Sequence, residues 1–394
     1  MNGMVQLFTA DATGRLVARP NRFTLIVDLD GGGQVAAHSP NPGRMWELTY
    51  PGTEVILQYA PHHPSGVRKT RWTAVAVRRP GDNVVVPLVS AGANTVAREL
   101  ILPFLIPGAT EIRGEVTRGR SRFDFVARTP DGEVVVEVKS CTLAAHGVAM
   151  FPDAATTRGA RHVNELAGIA GGRRIVLFVI QGPPAERFIP DIHTDPDFAL
   201  ALRDAARQGV EVVAVATRTT RSGGTHVVNP SVPVDMRPVD AVVANRGSYV
   251  LHLRLDENRT VGVGAYGDVH FEAGHYLYVG SAMGTLRSRT ARHLRRRKQM
   301  RWHVDYLRAG ADWASVYPIY SARRMECAVA SSLREVYGEP VPGFGSSDCS
   351  CPSHLFHSPE DPRRDPRFVE RMLTFRHRDA LVLQERQEPG EPQE

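Results

Sequence analysis

Arg122-Phe123-Asp124-Phe125 and, one turn later, Val135-Val136-Glu137-Val138-Lys139 decide the fold. Ser121 to Arg128 alternates outward-facing and apolar residues, and Glu133 to Ser140 is apolar and β-branched up to Glu137. Thr129-Pro130-Asp131-Gly132 between them has turn chemistry, so a β-hairpin is expected. Residues two apart on a strand share a face, and Glu137 and Lys139 therefore point together from the end of an apolar run. A neighbouring strand bearing Asp124 brings a second carboxylate within metal-sharing distance, the oxygen-rich setting that Mg²⁺ or Mn²⁺ prefers, with Lys139 placed to hold or polarise an attacking water. The competing account is a cross-strand Glu137–Lys139 ion pair with Asp124 as ordinary surface charge. Against it stand the cost of burying that pair at the end of a Val-rich strand and the choice of lysine, which the chain uses only at positions 69, 139 and 298.

The 394 residues exceed one ordinary core, so two or three domains are expected. Hydrophobic residues make up 42% and charged residues 23%, which is globular, and 28 prolines imply many turns. A net charge of +6 and a pI near 9.3 point weakly to a polyanionic partner. Four cysteines, Cys141, Cys327, Cys349 and Cys351, are too few for a secreted disulfide scaffold. No apolar run approaches the roughly 18 to 20 residues that span a bilayer, and no basic-then-apolar export segment opens the chain. A cytoplasmic protein with no membrane partner is expected.

Residues 1–88 carry short period-two segments, Phe23 to Leu29, Gln34 to His38, Glu54 to Tyr59, Trp72 to Val77 and Val84 to Pro87, separated by Gly and Pro turns. These imply a small β-barrel of the OB type. Arg68-Lys69-Thr70-Arg71-Trp72 reads either as a phosphate-tracking loop with Trp72 available for base stacking, or as solvated cations beside an inward-packing tryptophan. In residues 89–236, helical spacing from Ala93 to Ile106 opens at Asn94-Thr95 as a cap. The hairpin, a helix ending near Gly171, a buried strand Arg174 to Gln181, a helix Pro196 to Gln208 and a strand Val210 to Thr217 complete an α/β sandwich. Gln181 either approaches the carboxylates or satisfies loop backbone.

An Asp followed by Glu-x-Lys at a strand end resembles the PD-(D/E)XK nuclease motif. More specifically, Asn41-Pro42-Gly43-Arg44-Met45, Arg68-Lys69-Thr70-Arg71, Ser121-Arg122-Phe123-Asp124-Phe125, Glu137-Val138-Lys139-Ser140 and Phe151-Pro152-Asp153-Ala154 with Arg158-Gly159 resemble the sugar fermentation stimulation protein A family, from about Arg15 to Asp235. The resemblance implies a DNA-binding, OB-like N-terminal part, a nuclease-like second part, and catalytic positions at Asp124, Glu137 and Lys139.

Residues 237–245 are expected to be a linker, the end of a Ser-, Gly-, Pro- and Arg-rich stretch beginning at Thr219. In 246–357, two tyrosine-bearing strands, one opening at Gly247-Ser248-Tyr249 and one containing Tyr278-Val279-Gly280, precede a basic run with Arg289, Arg292, His293, Arg296, Lys298 and Arg301. The run holds no acid and is expected as a helix facing phosphate. This part resembles the GIY-YIG nuclease superfamily, with a departure at Ser248. The resemblance implies Tyr249 and Tyr278 as proton acceptors, Arg289 on the scissile phosphate and Glu326 as the Mg²⁺ ligand. Cys349, Cys351 and His354 with Cys327 have the residue types of a zinc site, although C-x-C is tighter than the usual spacing; small buried thiols beside a loop are the alternative. Residues 358–394 are expected to be a charged tail with a disordered end.

Together these expectations describe a metal-dependent nuclease acting on DNA or RNA. Asp124, Glu137 and Glu326 would hold Mg²⁺ or Mn²⁺, and Arg44, Arg68, Lys69, Arg71, Trp72, Arg292, His293, Arg296 and Lys298 would contact nucleic acid. The rival is a non-catalytic DNA-binding regulator that uses nuclease-like folds as scaffolds. Oligomeric state is left open, a dimer among the options.

Overall fold

The computed structural model describes residues 3–60, 62–63, 66–67, 70–338 and 341–385, with side chains described for these except 62–63, 66–67 and 378–385. The chain divides into two compact units, Met1–Asp191 with Asp195–Arg237, and Ile192–Thr194 with Pro238–Glu394.

The first unit begins with β1 (Ala12–Asn21), β2 (Thr24–Leu29), β3 (Gln34–His38), β4 (Glu54–Tyr59) and β5 (Trp72–Arg78). Pairing runs β1–β2–β3–β5–β4 and returns to β1, which closes a five-stranded barrel around Leu16, Leu25, Val27, Val55, Leu57 and Val77. The sequence reading missed β1, because irregularities between Leu16 and Ala18 and again before Asn21 break its alternation. β6 (Val85–Pro87) pairs with β5 and leads out of the barrel.

An α/β layer follows. α1 (Gly92–Val96) continues through a π-helical segment, Ala97–Ile101, into Leu102–Leu105. β7 (Glu111–Arg118), β8 (Ser121–Thr129) and β9 (Gly132–Cys141) form an antiparallel meander. α2 (Thr157–Ala167), β10 (Arg173–Ile180), α3 (Pro196–Arg207) and β11 (Glu211–Thr219) then add two strands parallel to β9. β9 and β10 are nearly continuous apolar runs because both faces are covered. α1 packs with Phe125, Val136, Val138 and Leu177, while α2 and α3 pack on Phe123, Val135, Val176 and Phe178.

The stretch from Thr219 to Asn245 is more ordered than a linker. β12 (Gly224–Asn229) pairs with β11, and α4 (Val239–Val243) lies inside the residues expected to connect the domains. Its turn residues had hidden these short elements.

In the second unit, β13 (Arg246–Leu255) and β14 (Gly274–Met283) pair antiparallel over their full length. α5 (Leu286–Leu294), α6 (His303–Gly310), β15 (Trp313–Tyr320), α7 (Glu326–Tyr337) and β16 (Leu355–Ser358) follow, giving the sheet order β15–β13–β14–β16. A hairpin of Arg259–Gly262 with Asp268–Phe271 occupies the gap between the tyrosine strands. α8 (Pro366–Glu385), expected within a charged tail, buries Phe368, Val369, Met372, Leu373 and Phe375, so this part of the tail belongs to the folded unit. The expected disorder at 388–394 lies outside the described residues.

Candidate functional site

The β8–β9 hairpin places the central carboxylates by register alone. Phe125 faces Val136, so Asp124 and Glu137 stand one step further along the same two strands. Asp124 Oδ1 accepts a hydrogen bond from Asn94 Nδ2 at 2.8 Å, and its Oδ2 accepts the backbone N–H of Val138 at 2.8 Å. Asn94 is therefore not the helix cap expected from sequence. The helix starts two residues earlier, and the Asn94 amide orients Asp124 from its first turn.

Glu137 is 3% exposed. Its Oε1 accepts from Lys139 Nζ at 2.5 Å and lies 2.8 Å from His162 Nδ1, whereas Oε2 is buried without a hydrogen-bond partner among the described residues. Arg158 Nε donates to His162 Nε2 at 3.3 Å, which requires the neutral ring to carry its proton on Nδ1 and donate to Glu137. His162 was missed as a site residue, although the Arg158–His162 spacing of four on a helix was a usable signal. Burial, reinforced by the charge of Glu137, holds the Asp124 carboxyl above its ordinary value. Gln181 joins this end of the sheet by accepting from Ser140 Oγ at 2.9 Å, and its Nε2 is buried without a partner among the described residues.

Asp124, Lys139, Ser140 and Asn94 line a cleft of about 520 Å³, which Arg22, Asn41, Pro42 and Gly43 of the barrel complete. Gly43 is needed there: a Cβ would collide with the Asp153 carboxylate. Arg44 is exposed with its guanidinium 5.4 Å from the Trp46 ring. Arg71 is exposed, and Trp72 is half-buried edge-on to Tyr59 at 5.0 Å, so it offers only part of its ring. Arg68 and Lys69 lie outside the described residues.

A second cluster forms in the other unit. Tyr249 faces Gly280 across β13–β14, and Tyr278 faces Leu251 two residues further along the pair, so both tyrosines share a face. Tyr249 Oη lies 2.9 Å from His293 Nε2. Burial raises the Tyr249 phenol above its ordinary value; the charge of Tyr278 adds to this and Arg289 opposes it. Tyr278 is raised likewise, by burial first and by Glu326 second. Arg289 stacks on Trp302 at 4.2 Å. Glu326 opens α7, accepting from Ser281 Oγ at 2.5 Å and facing His354 Nδ1 at 3.3 Å. Burial opposes its ionisation, but these two partners hold its carboxyl below the usual range. Ser248 Oγ accepts the backbone N–H of Met325 at 3.0 Å, so the departure at the middle position of the first motif anchors the residue before Glu326.

Three of the expected phosphate contacts are committed elsewhere. Arg292 and Lys298 both bind Asp305, at 2.9 and 3.0 Å, and His293 is 1% exposed with Nδ1 3.6 Å from the same carboxylate. Asp305 is fully buried and supplies the counter-charge that the basic run lacked. The run is also not one helix, since Arg295 is extended directly after Leu294. Arg296 bonds the Ala309 carbonyl at 3.1 Å from an otherwise exposed position. The ligand atoms of Cys327, Cys349, Cys351 and His354 all lie within 4.8 Å of one another. Among the described residues, no helix is long and apolar enough to cross a membrane.

Residues 17–86 match the family described as SfsA N-terminal OB domain, 91–223 match the sugar fermentation stimulation protein RE domain, and 248–375 match the domain of unknown function DUF123. A sugar fermentation stimulation protein homolog of Methanothermobacter thermautotrophicus is 40% identical over 214 residues, 52% of this chain and 85% of that protein. The homolog of Symbiobacterium thermophilum is 39% identical over 251 residues, 59% of this chain and 98% of that protein. The structure of Pyrococcus furiosus SfsA in complex with Ca²⁺ superposes with a TM-score of 0.51 at 27% identity, covering 59% of this chain and 99% of that one.

Proposed function

The chain belongs to the sugar fermentation stimulation protein family, with a DUF123 domain behind the family's two parts, and from this premise we propose that it is a metal-dependent phosphodiesterase acting on DNA or RNA. The observation that carries the proposal is the Oε2 of Glu137, buried without a hydrogen-bond partner among the described residues, beside Asp124, whose proton affinity is raised by burial and then by Glu137. Two carboxylates side by side at the edge of an open cleft, one of them held above its ordinary proton affinity, fit a hard divalent cation, Mg²⁺ or Mn²⁺. The Ca²⁺ in the solved relative has the same preference for oxygen ligands. When bound, such an ion supplies Lewis acidity to the scissile phosphoryl group.

The protein's own groups do the rest. Asn94 and the Val138 N–H fix the Asp124 carboxylate, and His162 on α2 fixes Glu137, so neither rotates when substrate arrives. Lys139 holds a positive charge at the cleft wall, where it orients water towards phosphorus. Arg44, Arg71 and the exposed part of Trp72 hold the strand, and the barrel loop Asn41–Gly43 carries it to the carboxylates.

In the DUF123 part, burial lowers the proton affinity of His293, whose Nε2 accepts a hydrogen bond from the Tyr249 hydroxyl and orients it, while the nearby Arg289 opposes the rise in the phenol's proton affinity. Glu326 is the carboxylate for a single cation there. The work of such an enzyme belongs in the cytoplasm, where its thiols stay reduced.

The test is incubation of the full chain with labelled single-stranded DNA, duplex DNA and RNA, with Mg²⁺, Mn²⁺ or EDTA. Strand cleavage that needs the metal supports the proposal. Salt-sensitive binding without cleavage of any substrate replaces it with the regulatory alternative.

A further inference from the structure

Cys327 sits in the first turn of α7, directly after Glu326, while Cys349, Cys351 and His354 come from the loop before β16. That loop is held by its own backbone hydrogen bonds. Gly343 N–H bonds the Pro352 carbonyl, His354 N–H bonds the Phe344 carbonyl and Val341 N–H bonds the Leu355 carbonyl, at 2.8, 2.8 and 2.9 Å. The four ligand atoms lie within 4.8 Å of one another, and Cys349 Sγ is 3.4 Å from His354 Nε2. A tetrahedral zinc site places a thiolate and an imidazole nitrogen about 3.6 Å apart. The tight C-x-C spacing is thus no obstacle, because the fourth ligand comes from a separate helix. Three soft thiolates with one imidazole select zinc over the hard cations suited to carboxylates.

We propose that Cys327, Cys349, Cys351 and His354 Nε2 bind a structural Zn²⁺ that fastens the start of α7 to the 346–354 loop. Metal on Nε2 leaves the ring proton on Nδ1, which faces Glu326 Oε1 at 3.3 Å, the metal–histidine–carboxylate arrangement that fixes a carboxylate's orientation. The ion is separate from the cation at Asp124 and Glu137, and its binding does not depend on hydrolysis. Only the consequence for Glu326 rests on the proposed phosphodiesterase activity.

Zinc is measured by elemental analysis of the full chain purified in reducing buffer, alongside Cys349→Ser, Cys351→Ser and His354→Cys. The wild type is expected to hold about one zinc per chain, the serine variants to lose most of it, and His354→Cys to keep it through a fourth thiolate. Cobalt exchanged into the wild type should give thiolate charge-transfer absorption, which needs no stable variant. Thiol titration of the native wild type should find Cys327, Cys349 and Cys351 protected until a chelator is added. Wild-type protein without zinc, whose three thiols react at once without chelator, overturns the proposal. For Glu326, Mn²⁺ binding is followed by paramagnetic resonance in an Asp124→Asn background. His354→Cys is expected to retain zinc and lose this Mn²⁺ site; retention of both overturns the orienting role.

Discussion

Glu47 lies within the first unit with no room for charge. Its side chain is buried, Oε1 has no hydrogen-bond partner among the described residues, and burial together with the nearby Asp153 raises its carboxyl from an ordinary 4.5 to about 7. A folded-state value above the unfolded one means that the folded protein holds this proton more tightly. The stability that Glu47 contributes is then fully present below about pH 4.5 and is lost as pH rises to about 7. The full span corresponds to about 3 kcal/mol. Glu47→Gln keeps the shape and removes the titration. Relative to wild type it should gain about 3 kcal/mol between pH 4.5 and pH 8, read from urea unfolding followed by tryptophan fluorescence. The second unit contributes equally to both proteins. An equal stability difference at the two pH values, or a variant that loses ground at pH 8, refutes the buried-carboxyl account.

Asp305→Asn leaves Lys298 and Arg292 without their buried counter-charge and should cost about 3–5 kcal/mol by urea unfolding, whereas a surface Arg296→Gln should cost under about 0.5 kcal/mol. Gly280→Ala pushes a methyl into the Tyr249 hydroxyl and should destabilise by about 1–3 kcal/mol in the same assay. His162→Ala frees Glu137 to rotate; divalent-metal affinity, measured by calorimetry, should fall by about 10- to 100-fold while duplex binding in EDTA is unchanged.

The hairpin was legible because period-two patterning, a Pro-Asp-Gly turn and the Glu-x-Lys end all agree, and a small barrel was legible from four of its five strands, each a short alternating segment. β1 was not legible, since its irregularities break the alternation that betrays a strand. Asn94 was misread because an amide near a helix start suits a cap as well as a partner for a distant carboxylate, and only the meeting with Asp124 decides. The basic run after Tyr278 was misread for a related reason. Charge counted along 287–301 stops just short of Asp305, and burying that one carboxylate turns Arg292 and Lys298 from a phosphate face into internal partners. The four-ligand cysteine cluster was visible as residue types, but the distance of Cys327 from the others in sequence left its geometry to the fold.

Single-turnover cleavage of the substrate that the wild type cuts, with Mg²⁺, comparing Lys139→Ala, Glu137→Ala and Tyr278→Phe and with binding measured alongside, tests the central claim most directly. The central hairpin as the site of hydrolysis predicts a loss of about 10²-fold or more for the first two, near-wild-type affinity, and little change for Tyr278→Phe. Unchanged cleavage in Lys139→Ala and Glu137→Ala, with loss confined to Tyr278→Phe, contradicts it and moves the chemistry to the DUF123 part.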